Sequence, residues 1–172
     1  MARLVYHEGE REAHRRFGVE DEAAEISDMV TDRLSLGVRR FIEARSIVFV
    51  TTVDGTGRPV TAFKARPDDM PGQPPLIRAA DSKRLIMALQ PWDDLDVLDN
   101  CLQDDIGIGL LFVDFDRRAR YRVNGRCRAV DPAAIEAEMG TLWPQARALV
   151  EVTVDQAYAN CPARIVRLIA AD

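Results

Sequence analysis

Histidine, cysteine and long apolar runs are all scarce in this sequence. Its 172 residues include two histidines and three cysteines. His7 and His14 both lie in the polar N-terminal segment, at a spacing that does not suit a shared zinc ion. Cys101, Cys127 and Cys161 are odd in number, far apart and without a CxxC pair, which favours reduced thiols over a disulfide framework. A metal-stabilised or disulfide-stabilised domain is therefore not expected.

The common catalytic and phosphate-binding motifs are absent as well. The sequence contains no GxSxG, no GxxxxGK and no GxGxxG. Gly107-Ile108-Gly109 is too short for a dinucleotide fingerprint and falls inside a predicted strand. Without a nucleophile, a metal site or a well-placed base, an enzyme of this size would need an organic cofactor for difficult chemistry.

Length and composition are those of an ordinary globular domain. Apolar residues make up 47% of the chain and charged residues 30%. The net charge of -5 argues against nucleic acid as a partner. No apolar run reaches the length of a membrane span, and the N-terminus lacks the apolar core of a signal peptide. We expect a single cytoplasmic domain over residues 1–172 that binds neither membrane nor nucleic acid.

The stretch 104–130 predicts the central element of the fold, a long β-hairpin. Residues 106–115 are almost wholly apolar, as in a strand buried on both faces, and the polar residues 116–118 form the turn. Residues 119–130 then alternate strictly between an apolar face and an arginine-rich face. Gly107 and Gly109 share one face of the first strand and leave flat backbone where a ring or another chain could lie close.

The rest of the chain predicts a mainly β, α+β architecture. Residues 1–30 are charged and weakly helical, which indicates an N-terminal helical arm, and a helix is predicted from Thr31. Further strands are predicted at residues 46–53, 60–65, 76–79, 85–89 and 148–154, and further helices at 92–103 and 131–142. Six or seven mostly antiparallel strands with hairpin-length connections favour a barrel or an α+β sheet over a doubly wound sheet.

The arginine-rich face of residues 119–128 has two interpretations. It could be a solvated face balanced by carboxylates of neighbouring strands, or it could contact an anion or a second subunit. The cysteines and the two tryptophans, Trp92 and Trp143, are interpreted as structural, with Cys101 and Cys127 as small buried side chains.

Three segments resemble one known group of proteins. They are IGLLFVDF followed by RRARYRVNGRCR (108–128), NCPARIVR (160–167), and FIEARSIVFVTTVDGTGRP (41–59). Together they look like an uncharacterised branch of the pyridoxamine 5'-phosphate oxidase-like flavoproteins. The resemblance implies a six-stranded antiparallel split β-barrel with flanking helices, a homodimer, and FMN at the subunit interface.

The resemblance also implies a set of cofactor-binding residues. The flavin phosphate would be held by Thr61 and Lys64 on the second strand and by Arg66 just after it, since arginine can bind a phosphate bidentately. Asn100 and Arg164 are the remaining candidates, where Arg164 either approaches from the dimer partner or is a surface charge. The chain departs from the family where the loop after the second strand reads RPDDMPGQPP. It departs again where Asp93, Asp94 and Asp96 open the middle helix, because carboxylates there would repel a phosphate.

Two functions follow as hypotheses. The first is an FMN-binding oxidoreductase that acts on an unidentified small molecule. The second is a non-enzymatic split barrel that has lost its flavin or exchanged it, with haem or a deazaflavin as the replacement.

Overall fold

A computed structural model describes residues 5–66, 74–131, 141–160 and 165–168 of the chain. The described helices are α1 (Glu8–Phe17), α2 (Glu20–Met29), α3 (Leu36–Glu43) and the short α4 (Leu95–Leu98), which continues into a 3₁₀ segment, Asp99–Leu102. The strands are β1 (Ile47–Val53), β2 (Pro59–Ala65), β3 (Ile77–Ala79), β4 (Arg84–Leu89), β5 (Ile106–Asp114), β6 (Ala119–Val130) and β7 (Ala148–Ala159).

The strands form one curled antiparallel sheet in the order β2-β1-β5-β6-β7-β4-β3. This confirms the mainly β, α+β fold and the antiparallel split-barrel architecture. The resemblance implied six strands, and this is corrected to seven within the described residues. The shortest of them, β3, pairs with β4, with Ile77 opposite Met87 and Ala79 opposite Leu85.

The predicted central hairpin is confirmed as β5 and β6, which pair along their whole length from Ile106 to Asp114. On β6 the buried side is the predicted apolar face, with Val123 and Cys127 at most 1% exposed. The core lies on this inner side of the curl, where β1, β5, β6 and β7 supply branched and aromatic side chains, among them Val50, Phe112 and Val152. Burial of these side chains is the main stabilising contribution to the sheet.

Two helix predictions are corrected by the structure. The helix predicted from Thr31 begins at Leu36, because the backbone of Thr31 pairs with Ala157 on β7 and Ser35 then caps α3 by accepting a hydrogen bond from the Val38 amide. The helix predicted over 92–103 is helical only from Leu95, and its second half is 3₁₀. The predicted helix at 131–142 lies almost wholly outside the described residues, as do Cys161 and Arg164.

The N-terminal helices lie against the outside of the sheet with little burial. α1 has no buried residue and is closed by a capping box between His7 and Glu10 and by Gly18 in the left-handed conformation. In α2 only Ala23 is buried. The Tyr6 hydroxyl donates to the Ala23 carbonyl (3.0 Å), and Gln156 Nε2 on β7 donates to the Val5 carbonyl (3.2 Å). The first contact lies within this pair of helices and the residues before it, the N-terminal arm, and the second joins the arm to β7.

A β-bulge interrupts the pairing of β6 with β7. Asn124 lies opposite Gln156 whereas the next residue, Gly125, lies opposite Val154, so that Asp155 is the extra residue on β7. A Cβ atom added to Gly125 would lie 2.0 Å from the Thr153 carbonyl oxygen. Only glycine allows the two backbones to approach this closely.

The bulge gives a stability prediction. Gly125→Ala should lower the free energy of unfolding by about 1–3 kcal/mol, because the two backbones must separate to admit the methyl group. Gly107→Ala on β5 is the matched control, since its added Cβ would meet nothing within 4 Å. The control should be neutral or slightly stabilising. Urea unfolding gives the free energy of unfolding of both variants. An equal decrease in Gly125→Ala and Gly107→Ala would contradict this account.

Candidate functional site

The outer side of the sheet carries two rows of side chains that cross five strands, from β2 to β7. The register places five residues in the first row, called the polar row: Thr61, Thr51, Gly109, Asn124 and Gln156. The second, called the aromatic row, consists of Phe63, Phe49, Leu111, Arg122 and Tyr158. Each row is continuous because paired residues of neighbouring strands point to the same face.

The polar row offers hydrogen-bonding groups around a flat centre. The Oγ1 atoms of Thr51 and Thr61 are 2.9 Å apart, and Asn124 Nδ2 donates to Gln156 Oε1 over 3.2 Å. Between these pairs lies Gly109. A Cβ atom there would lie 3.5 Å from Asn124 Oδ1 and 3.9 Å from the Thr51 Cβ. The glycine therefore keeps open a space that a side chain would fill.

The aromatic row combines stacked rings with a cation. The rings of Phe49 and Phe63 have centroids 5.3 Å apart and are tilted by 57°. Phe63 is 55% exposed, which is unusual for a large apolar side chain next to polar groups. At the other end of the row Arg122 Nη1 donates to the Tyr158 hydroxyl over 3.3 Å, and its guanidinium carbon lies 5.8 Å from the ring centroid.

The arginines on the arginine-rich face of β6 differ in whether a carboxylate lies next to them. Arg126 is paired with Asp105 and Arg128 with Glu151. Within the described part of the chain, Arg120 and Arg122 have no carboxylate partner, and the buried Nε of Arg120 has no hydrogen-bond partner. One half of the face is thus a balanced surface, and the other half retains uncompensated positive charge beside the two rows.

A groove lies where the two rows meet, with a cavity volume of about 390 Å³. It is lined by residues of β1, β2, β5 and β6: Phe49, Thr51, Thr61, Gly109, Leu110, Leu111, Arg122 and Asn124. Its volume falls within the range of about 300–1,000 Å³ that is typical of small-molecule sites. We call this cavity the outer groove.

The structure separates the predicted phosphate ligands from one another. Thr61 lines the outer groove, but Lys64 points to the opposite side of β2 and is 1% exposed. There its ammonium group is paired with Asp93, whose Oδ2 also accepts a hydrogen bond from the Gln90 amide (2.6 Å). Burial lowers the pKa of Lys64, and the nearby Asp93 carboxylate opposes that shift.

The other predicted ligands do not line the outer groove. Arg66 follows β2, where its amide donates to the Ser46 carbonyl over 2.9 Å. Asn100 is half-buried in the 3₁₀ segment. Arg164 lies outside the described residues. Sequence reasoning missed Phe49 and Thr51, which only the register of β1 against β2 and β5 brings to Thr61 and Gly109.

The partner of Lys64 was also missed, although one signal pointed to it. The alternation of β2 puts Lys64 on the same face as Ala62, which is 1% exposed, so that a buried lysine was implied. A buried lysine requires a counter-charge. Asp93, expected to repel a phosphate, is instead the counter-charge.

The buried cysteine prediction is confirmed for Cys101 and Cys127, both at most 1% exposed. A hydrogen bond between the two thiols lowers the pKa of Cys127 and, together with burial, raises the pKa of Cys101. In the described part of the chain no helix is long and apolar enough to cross a membrane. Across those same ranges, His, Cys, Asp and Glu side chains form no group of three or more that could hold a metal ion.

Comparison with known proteins gives similarities only at the level of structure. No protein-family model matches the sequence, and no curated protein is significantly similar to it. Among solved structures, HupZ of Group A Streptococcus matches with a TM-score of 0.55 and 19% identity, over 73% of this chain and 93% of HupZ. A putative pyridoxamine 5'-phosphate oxidase of Lactobacillus delbrueckii matches with a TM-score of 0.53 and 17% identity, over 74% and 95% of the two chains. The chain therefore has the split-barrel fold of these proteins.

The buried ion pair gives a second prediction. Lys64→Met should lower the free energy of unfolding by about 3–5 kcal/mol, because the Asp93 carboxylate is left buried and unpaired. Adding Asp93→Asn should restore most of that loss, since the amide oxygen can still accept from Gln90. Chemical unfolding of the single and double variants provides the measurement.

The control for this prediction is Lys83→Met. Its pair with Asp32 is well exposed, with side chains 39% and 44% accessible. Exposed pairs contribute less than about 1 kcal/mol. A double variant as unstable as Lys64→Met alone would contradict the assignment of the loss to an uncompensated charge.

Proposed function

We propose that the protein binds FMN in the outer groove and is an oxidoreductase for a small molecule. The observation that carries the proposal is the composition of that groove, which combines a glycine floor, stacked phenylalanines and two threonine hydroxyls. The similarity of the fold to that of a putative pyridoxamine 5'-phosphate oxidase supports a flavin-type cofactor. Fold alone does not specify a substrate.

The groove residues suit a flavin chemically. A flat tricyclic ring requires a surface without protruding side chains, and Gly109 provides it. Ring nitrogens and carbonyls need donors and acceptors, which Thr51 and Asn124 offer around that floor.

The phosphate is therefore assigned to the outer side of the sheet. Thr61 keeps its proposed role there, and Arg66 and Arg164 remain proposed contributors of charge. Lys64 is withdrawn from this role, because its ammonium group is already neutralised by Asp93 on the inner side. Asn100, which does not line the groove, remains a proposed second contact.

When bound, the flavin would supply the redox chemistry, and the chain would supply position and electrostatics. The hydroxyls and the amide of the polar row would orient the ring, and the two phenylalanines would exclude water from it. A second copy of the chain would cover the exposed Phe63, which is why a homodimer is part of the proposal.

One observation favours the alternative, a split barrel that binds a ligand without catalysis. The ion pair between Lys64 and Asp93 removes a basic residue that the family resemblance assigned to the phosphate. A barrel that has changed its cofactor, to haem or a deazaflavin, would tolerate that loss. The absorption spectrum of the reconstituted protein distinguishes these cofactors.

The proposal predicts a specific pattern of FMN affinities. Gly109→Val should weaken binding by at least about tenfold, because it fills the floor of the groove, and Thr61→Val by about two- to tenfold through loss of a hydrogen bond. The control is Thr153→Val, which replaces an exposed threonine on β7 outside the groove and should leave the FMN affinity unchanged. Quenching of flavin fluorescence on titration gives the dissociation constants.

Two results would overturn the flavin assignment. One is an unsubstituted protein that neither contains nor binds FMN. The other is an affinity that Thr153→Val lowers as much as Gly109→Val does.

A further inference from the structure

A second cavity, with a volume of about 610 Å³, lies between the N-terminal arm and the outer side of β6 and β7. We call it the arm cavity. It shares Arg122 and Asn124 with the outer groove, so the two spaces adjoin at these side chains. The flavin proposal makes no use of the arm cavity.

The polar groups around the arm cavity are nearly all engaged with one another. Gln156 accepts from Asn124 and donates to the Val5 carbonyl, and the Tyr6 hydroxyl donates to the Ala23 carbonyl. These contacts build the wall and leave few groups with unused hydrogen-bonding capacity to recognise a ligand.

The ionisable side chains of the N-terminal arm at the rim are engaged in an ion pair and in a helix cap. Arg11 is paired with Glu8 at 2.6 Å, and Glu10 accepts from the His7 amide at 2.9 Å as part of the helix cap. Arg122 is thus the one cation lining the arm cavity that has no carboxylate partner in the described part of the chain. Its guanidinium lies over the face of Tyr158, which leaves donor groups available to a ligand.

The remaining walls are aromatic and aliphatic. Tyr158 and Tyr6 contribute rings, and Ile26 and Val30 contribute branched side chains from α2 and from the residue that follows it. Such walls favour a flat, partly apolar ligand. A single uncompensated cation matches a single negative charge better than the two of a phosphate dianion.

We propose that the arm cavity binds a small planar organic monoanion, an aromatic carboxylate, with Arg122 holding the carboxylate bidentately. The ring lies against Tyr158 and the aliphatic side of the arm. Because the cavity adjoins the outer groove, such a ligand lies next to the proposed flavin. Aromatic carboxylates are therefore the class of substrate that the flavin would oxidise or reduce. That catalytic role depends on the proposed function, whereas the binding itself does not.

The test uses the full chain and the probe 4-hydroxybenzoate, with and without FMN, followed by ligand-observed NMR and calorimetry. We expect saturable binding in both states. The neutral amide 4-hydroxybenzamide should bind at least about tenfold more weakly, since it lacks the charge that Arg122 recognises. Equal binding of acid and amide would overturn the proposal.

Substitutions on β6 and β7 show where 4-hydroxybenzoate binds. Arg122→Gln should weaken 4-hydroxybenzoate binding by about 10- to 100-fold, which corresponds to loss of a charge-assisted hydrogen bond. Arg126→Gln is the matched control, an arginine on the same face of β6 that is paired with Asp105 outside the cavity. Tyr158→Phe removes the hydroxyl contact to Arg122 but keeps the charge and the ring, and should retain binding within a few-fold. Equal losses in Arg122→Gln and Arg126→Gln would overturn the assignment.

Two further variants separate this inference from the flavin proposal. Ile26→Trp should fill the arm cavity and abolish probe binding while FMN affinity is unchanged, and Thr61→Val should do the reverse. If the probe binds through Arg122 but FMN does not bind, only the flavin proposal fails. If FMN binds and Ile26→Trp leaves probe binding intact, only the arm-cavity proposal fails.

Discussion

The strict alternation of side chains along β6 is the constraint on which the rest of the structure depends. One face of this strand builds the core with Val123 and Cys127, and the other presents arginines to the outer side. Because β6 is paired along its length with β5 and β7, its two faces become the two faces of the sheet. A change of one residue in register would exchange core and surface. The bulge at Gly125 absorbs the extra residue of β7, so that Val154 and Ala157 both face the core.

Charge is distributed differently on the two sides of the sheet. On the inner side Lys64 is buried, and it is neutralised by Asp93 at the start of the segment leading into α4. This contact ties β2 to a distant segment and makes the pair structural. On the outer side Arg120 and Arg122 remain without carboxylates in the described part of the chain, whereas Arg126 and Arg128 are balanced. Within the described part of the outer face of β6, the arginines without a carboxylate partner therefore lie where the aromatic row crosses the strand and next to that point.

The N-terminal arm turns one face of the sheet into two adjoining spaces. Without α1 and α2, the region around Arg122 and Tyr158 would be open sheet surface. Since α1 buries no residue and α2 buries only Ala23, the arm contributes little to the core.

Local patterns in the sequence were enough to locate the strands, the central hairpin and the two-faced character of β6. They missed the second half of β7, which was predicted to end at Val154 and runs to Ala159. Alternation and turn residues act over a few positions and do not depend on distant contacts. The flat backbone at Gly109 and the burial of Cys101 and Cys127 could be predicted in the same way. The meeting of Phe49, Thr51 and Thr61 with Gly109 and Asn124 depended instead on the register of four strands. The pairing of Lys64 with Asp93 joined residues 29 positions apart, and only the tertiary structure could decide which charge neutralises which, because electrostatic partners are set by distance in space.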